Sequence, residues 1–186
     1  MTVEALAAAV IDACEAEGVD HMVTGAFAYS LYGIPRSTKD VDVVLSLPSG
    51  DAAIKVAARL APSVEFDEQA QFDTLTWGKR LVGTSREIPL KVELFELFDD
   101  PFVLEQFARK RRMFSAQIGR YTWLPTPEDV VVQKLRWGRN KDLDDARDVL
   151  AVQGPESLDM AYIESWCDQH GTTGRLQAAL SGIPPL

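Results

Sequence analysis

Cysteine is nearly absent from this chain, with only Cys14 and Cys167 in 186 residues. They lie far apart within helical patterns and outside any CxxC or Cys/His cluster. This excludes a disulfide framework and a zinc-ribbon spacing, and leaves two buried or idle thiols. Histidine is as scarce: His21 and His170 have no neighbour at metal-ligand spacing, so both are expected to be structural. No apolar run is long enough to span a bilayer, and no basic flank precedes the Ala-rich N-terminal segment. Neither a membrane helix nor a signal peptide is expected, and a cytoplasmic location is the default. Positive charge is in deficit. A formal net charge of −9 argues against extended, nonspecific nucleic-acid binding. Two local basic clusters remain, Arg109-Lys110-Arg111-Arg112 and the group Lys134, Arg136, Arg139 and Lys141. Trp77, Trp123, Trp137 and Trp166 are scattered, which fits core packing better than a base-stacking platform. Internal repeats and low-complexity segments are absent as well.

What is present is the composition of a soluble globular protein, 46% hydrophobic and 25% charged, at a length that suits one domain or a domain with a small appendage. The apolar spacing predicts a helix over 3–17, stopped by Gly18. A short buried strand, His21-Met22-Val23-Thr24, follows. Gly25-Ala26 then opens a second helix, Phe27 to Tyr32, which ends at Gly33, and Pro35 prevents its continuation. Ser49 reads as the N-cap of a helix over about 51–60. Strands are expected over 72–77, after a Gly78-Lys79 turn at 81–82, and over 90–95. A helix over 101–112 carries a basic tail, and a hairpin over 113–124 turns at Gly119-Arg120. Thr126-Pro127-Glu128-Asp129 is a strong helix start, with cap, proline and acids in sequence. Helices follow over 127–138, 143–152, 158–169 after Ser157, and 174–181. The change near residue 125 from mixed α/β to all-helical divides a core, 1–125, from a helical C-terminal lobe, 126–186.

The segment that organises the rest is DHMVTGAFAYSLYGIPRSTKDVDVVL, residues 20–45. Asp40 and Asp42 flank Val41 inside an apolar strand, so their side chains leave the same face with Cα atoms roughly 6.6 Å apart. Like charges that close repel unless a cation lies between them, and magnesium is the natural one, because it takes hard oxygen ligands and is held by one or two carboxylates plus substrate phosphates. Glu93 stands on the more polar face of the later core strand, with Lys91 and Phe95. The Gly25-Ala26 helix start leaves backbone N–H groups free, a seat for a phosphate or simply a tight turn.

Gly25-Ala26-Phe27-Ala28 leading to Gly33-Ile34-Pro35-Arg36-Ser37-Thr38-Lys39-Asp40-Val41-Asp42 resembles the nucleotidyltransferase fold of the polymerase β-like family. The later Thr126-Pro127-Glu128-Asp129-Val130-Val131-Val132-Gln133-Lys134-Leu135, followed by Lys141-Asp142-Leu143-Asp144-Asp145, resembles most the small bacterial abortive-infection and toxin–antitoxin members. The resemblance implies an α+β fold with a mixed sheet, flanking helices and a helical lobe. It implies transfer of a nucleoside monophosphate from an NTP, ATP among the candidates, to an acceptor, with release of pyrophosphate. Two Mg²⁺ or Mn²⁺ ions would share Asp40 and Asp42, stabilising the entering and leaving oxygens.

By the same resemblance Glu93 takes the place of a third carboxylate, usually aspartate, as ligand and base. Glu96 and Glu87 are weaker alternatives, and the base assignment stays open. Gly25 and Ala26 would admit the triphosphate, Thr38 and Arg36 would contact its oxygens, and Lys134 would point back at the nucleotide. Asp142 and Asp145 match supporting acids. Bland readings stand beside these: Arg36 and Lys39 neutralising Asp42 or Asp40, Lys134 solvated on its helix, Asp142 capping the next one. An RNA 3′ end such as that of tRNA is the leading acceptor, with an antitoxin protein as partner and no membrane. The alternatives are an antibiotic or other small-molecule acceptor, and a catalytically weak nucleotide-binding or protein-interaction module.

Overall fold

The computed structural model describes residues 1–46, 51–75 and 78–184. The chain forms two compact units, one of Met1–Phe27 with Ser37–Leu124 and the other of Ala28–Arg36 with Pro125–Leu186. The first begins with α1 (Val3–Ala16), whose Thr2 side chain accepts a hydrogen bond from the Ala5 N–H at 3.2 Å. Leu6, Val10, Ile11 and Cys14 recur at helical spacing and are buried. Burial pushes the Cys14 thiol up to about 12, so it is inert. β1 (Asp20–Val23) and α2 (Gly25–Tyr32) are separated by Thr24 alone, and α2 starts two residues earlier than its apolar pattern predicts.

β2 (Asp40–Ser46) alternates cleanly, with Val41, Val43 and Leu45 buried and Asp40, Asp42 and Val44 on the other face. After α3 (Ala52–Leu60) come β3 (Val64–Phe66), β4 (Gln71–Asp73), β5 (Gly78–Ser85) and β6 (Lys91–Glu96). The sheet order is β1-β2-β6-β5-β3, with β4 also on β5. β2 and β6 run parallel and the other pairs antiparallel, which makes the sheet mixed. α1 lies against β1, β2 and α3 on the apolar side. Gly78-Lys79 is no turn: Gly78 pairs with Asp73 and Lys79 with Phe72. β4 ends at Asp73 and Thr74 and Leu75 turn, so the strand expected over 72–77 is cut short, while Thr76, Trp77 and the Ser49 cap lie outside the described residues; α3 has Asp51 at its cap position.

α4 (Pro101–Arg109) is capped by Asp100, whose carboxylate accepts from the Val103 N–H at 3.0 Å. It stops short of the predicted basic tail. Arg111 and Arg112 belong instead to β7 (Arg111–Ser115), which pairs with β8 (Arg120–Leu124) as a two-stranded ribbon, and β8 lies against β1. Cross-strand hydrogen bonding has overridden a locally helical pattern.

The second unit is helical: α5 (Pro127–Trp137), α6 (Asn140–Gln153), α7 (Met160–Gln169) and α8 (Thr173–Ser181). A full capping box starts α5, the Thr126 hydroxyl and the Asp129 carboxylate each serving the other's backbone N–H at 3.3 Å. Tyr162 donates to the same Asp129 carboxylate at 2.6 Å, tying α7 to the start of α5. Asp159, not Ser157, caps α7. The strand-to-lobe segment 28–36 is stitched in by the Tyr32 hydroxyl donating to the Pro125 carbonyl at 2.9 Å and by Gln153 donating to the Tyr32 carbonyl at 2.8 Å. Among the described residues no helix is long and apolar enough to cross a membrane.

Candidate active site

β2 presents Asp40 and Asp42 on its polar face because a strand alternates and its other face is committed to the core. Thr38 orders the entry, its hydroxyl accepting from the Asp40 N–H and donating to the Asp40 carbonyl, both at 3.2 Å. That hydroxyl thus organises backbone here. The end of β1 is fixed from the same strand, the Thr24 N–H donating to the Asp42 carbonyl at 2.9 Å. Gly25 follows at φ +62°, and a Cβ built there would collide with the Asp42 carboxylate. Only glycine fits twice over, for its backbone and for the side chain it faces. Gly25 therefore brings the start of α2 directly against the Asp42 carboxylate, and a helix start favours negative charge.

The parallel register places Glu93 opposite Asp42 and Lys91 opposite Asp40, so all four side chains leave one face. Antiparallel pairing adds Arg80 from β5, diagonal to Glu93. Arg80 donates to Glu93 at 2.6 Å and to Asp73 at 3.1 Å, with its guanidinium 5.8 Å from the centre of the Phe95 ring. Burial raises the Glu93 carboxyl, Arg80 opposes this, and the charges of Asp40 and Asp73 add to the rise. Glu93 thus sits in an arginine clamp. Glu87 is exposed and pairs with the N-terminal ammonium at 3.2 Å, and Glu96 closes β6 opposite Leu45, on the strand's other alternation.

Among the described residues no group of three His, Cys, Asp or Glu side chains is gathered tightly enough to hold a metal by itself. The donor set nevertheless fits a hard divalent ion of the magnesium kind, which needs only one or two carboxylates when phosphate oxygens complete its shell. Asp40 and Asp42 would supply those two, and Glu93 would contribute only on leaving Arg80.

The second unit builds a separate charged cluster. Lys134, on α5, has 4% of its surface exposed and is therefore no solvated helix residue. It donates to Asp145 at 2.7 Å and to Asp142 at 3.4 Å, both on α6. Arg36 donates to the same Asp145 oxygen at 3.0 Å and lies 5.3 Å over the Tyr29 ring. Arg139 forks onto Asp142 at 2.5 and 3.1 Å, so Asp142 receives side chains and is not the helix cap. Burial works to raise the Asp142 carboxyl, but the Arg139 hydrogen bonds and the Lys134 charge outweigh it and hold it below the usual range. Tyr29 donates to Asp148 at 3.1 Å, and burial with the Asp148 and Asp145 charges pushes its hydroxyl up to about 12.

Sequence reasoning missed Arg80, Tyr29 and Asp148. The stripe Asp142, Asp145, Asp148 at three-residue spacing marks one helix face and was the available signal for Asp148. Arg80 carried none, because its partner depends on strand register.

No protein-family model matches the sequence, and no curated protein matches it. Solved structures do. ANT(2″)-Ia in complex with adenylyl-2″-tobramycin is similar with a TM-score of 0.65 at 11% identity, covering 92% of this chain and 98% of that one. An antigenic nucleotidyltransferase-like protein from Paracoccidioides brasiliensis gives 0.56 at 18% identity, over 99% and 94% of the two chains. A candidate nucleotidyltransferase from Thermotoga maritima gives 0.51 at 19%, over 76% and 88%. With the mixed sheet, the Gly25 turn and the acidic β2 in place, the chain has the nucleotidyltransferase fold.

Proposed function

We propose that the protein is a nucleotidyltransferase that uses Mg²⁺ (or Mn²⁺) to transfer a nucleoside monophosphate from an NTP to an acceptor hydroxyl, with RNA as the acceptor. One observation carries this reading: Asp40 and Asp42 share a face of β2 while the Gly25 turn seats the start of α2 on the Asp42 carboxylate. Asp40 and Asp42 would hold the ion, and when bound it supplies Lewis acidity toward the phosphate oxygens. The first turn of α2 supplies N–H donors and partial positive charge for the triphosphate, with Gly25 and Ala26 letting the backbone approach. Arg36 keeps a guanidinium and Thr38 a hydroxyl on the segment leading to Asp40.

Lys134, Asp142 and Asp145 serve this reading as supporting groups, since a contact of Lys134 with nucleotide requires it to leave a 2.7 Å bond to Asp145. RNA 3′ ends such as those of tRNA are the acceptor we favour, on the strength of the basic ribbon of β7 and β8. A toxin-like role in the cytoplasm, with an antitoxin as partner, goes with that acceptor. A second reading, a cationic small-molecule acceptor such as an antibiotic, is favoured by the acidic site face and the net charge of −9. A third, a catalytically weak nucleotide-binding or interaction module, is favoured by the Arg80 clamp on Glu93.

Incubation with each labelled NTP, Mg²⁺ and either total RNA or a panel of hydroxylated antibiotics separates them. Label on RNA, lost in the Asp40→Asn, Asp42→Asn double variant, supports the first reading. Transfer that survives in that variant overturns the site. NTP binding without pyrophosphate release on any acceptor selects the weak module.

A further inference from the structure

The ribbon of β7 and β8 carries a surface that the acidic site does not need. Register places Arg112 opposite Trp123 and Phe114 opposite Tyr121, so these four side chains share one face of it. Phe114 is 54% and Tyr121 57% exposed. Single exposed apolar side chains are ordinary, whereas this pair touches edge to face, with ring centroids 5.5 Å apart. The Arg112 guanidinium lies 5.5 Å from the centre of the Tyr121 ring.

Charge distinguishes the ribbon further. Its neighbours Lys110 and Arg120 are neutralised by Asp20 and Asp12. Arg111 and Arg112 are exposed and have no carboxylate partner among the described residues. In a chain of net charge −9, an unneutralised arginine, Arg112, beside bare aromatic rings is a local departure. The combination suits a ligand with flat faces and regularly spaced negative charges: rings and a guanidinium plane stack unpaired bases, and arginines meet phosphates. A duplex hides its base faces and uses only the charge.

The geometry points to the exposed face of the β7–β8 ribbon as a binding surface for a single-stranded polynucleotide, with Phe114 and Tyr121 stacking its bases and Arg112 meeting its phosphates. β8 lies against β1, the sheet neighbour of the strand that bears Asp40 and Asp42, so the ribbon and the acids belong to one unit. The inference gives the RNA reading above its binding surface, and it rests on that reading only for the purpose of the contact, not for the contact itself.

The test is fluorescence anisotropy of the intact chain with labelled single-stranded RNA, single-stranded DNA and duplex of one sequence, in EDTA and without NTP. Single strands are expected to bind more tightly than duplex. Phe114→Ala and Tyr121→Ala are each expected to weaken binding about fivefold to a hundredfold, the effect of one lost stack. Phe114→Tyr is expected to retain binding, and Arg112→Ala to lower the salt slope by about 0.7. Preference for RNA over DNA, or parity between them, tells which single strand is used and supports the surface either way. Absence of single-strand binding at low salt, or binding unchanged in both alanine variants with native circular dichroism, overturns it. Single-strand binding lost in the Phe114 and Tyr121 variants, with no transfer seen on any acceptor, leaves the ribbon standing and sinks only the catalytic reading. Transfer to a small molecule without polynucleotide binding sinks the ribbon and leaves the catalytic site standing.

Discussion

Gly25 concentrates more constraint than any other residue of the site. Its φ of +62° and the Asp42 carboxylate in the place of a Cβ mean that Gly25→Ala meets both backbone strain, about 1–2 kcal/mol, and a collision. The expected outcome is a folded protein that has displaced Asp42 and lost nearly all nucleotidyl transfer, checked by turnover beside thermal melting; full activity in this variant would refute the role given to the turn. His21 makes a second residue-scale prediction. It is buried, its Nδ1 lies 3.2 Å from the Val19 carbonyl, and burial holds its pKa below the ordinary 6.5. The unfolded chain then binds the proton first. Stability is full above about pH 6.5 and declines as pH falls from there toward the folded value. Urea midpoints on either side of that pH are expected to diverge in the native chain and to converge in His21→Gln.

At the scale of elements, α5 and α6 are bound by ionic contacts that a buried helix needs if it carries a lysine. Breaking a buried pair by removing one partner costs about 3–5 kcal/mol, and here Lys134 would be left with Asp142 alone at 3.4 Å. Asp145→Ala, which strips both Lys134 and Arg36 of an acceptor, is expected to lose stability of that order by denaturant titration. A loss under about 1 kcal/mol would show that the cluster is solvated. Elements were legible where the signal is local. The Thr126 box, the alternation in β2 and the Gly25 opening all read directly from neighbouring residues. The pairing of Gly78 with Asp73 and the departure of Arg111 and Arg112 into β7 were not legible, because strand pairing is decided by distant partners. The depth of Lys134 was hidden for a related reason: a lysine on a helix reads as solvent-facing until the acids 8 and 11 residues away fold back on it.

For the whole molecule, the proposed chemistry predicts linkage between ligand and unfolding. Mg²⁺ and the correct NTP together, at a hundred times the dissociation constant, are expected to add about 2.7 kcal/mol and to raise the melting temperature by roughly 5–10 °C. EDTA should cancel the shift, and the Asp40→Asn, Asp42→Asn chain should never show it; a shift that survives in that chain would place the nucleotide elsewhere. The paired acids were readable because one alternating strand dictates their shared face, whereas the mixed sheet came from the family resemblance, since the parallel pairing of β2 with β6 is written in neither strand alone. The clamp on Glu93 was not, since Arg80 reaches it only through the register of β5 against β6.

The connector between β1 and α2 is one residue long, and the carbonyl that anchors it belongs to Asp42 itself. Lengthening it by a single amino acid would lift the helix start away from the carboxylate, so insertional scanning should find this point intolerant while surface turns accept the same insertion. Homologous chains could then vary their lobes and ribbons widely and still share an uninterrupted strand-Thr-Gly junction, a spacing by which the working members could be sorted from those that have lost the chemistry.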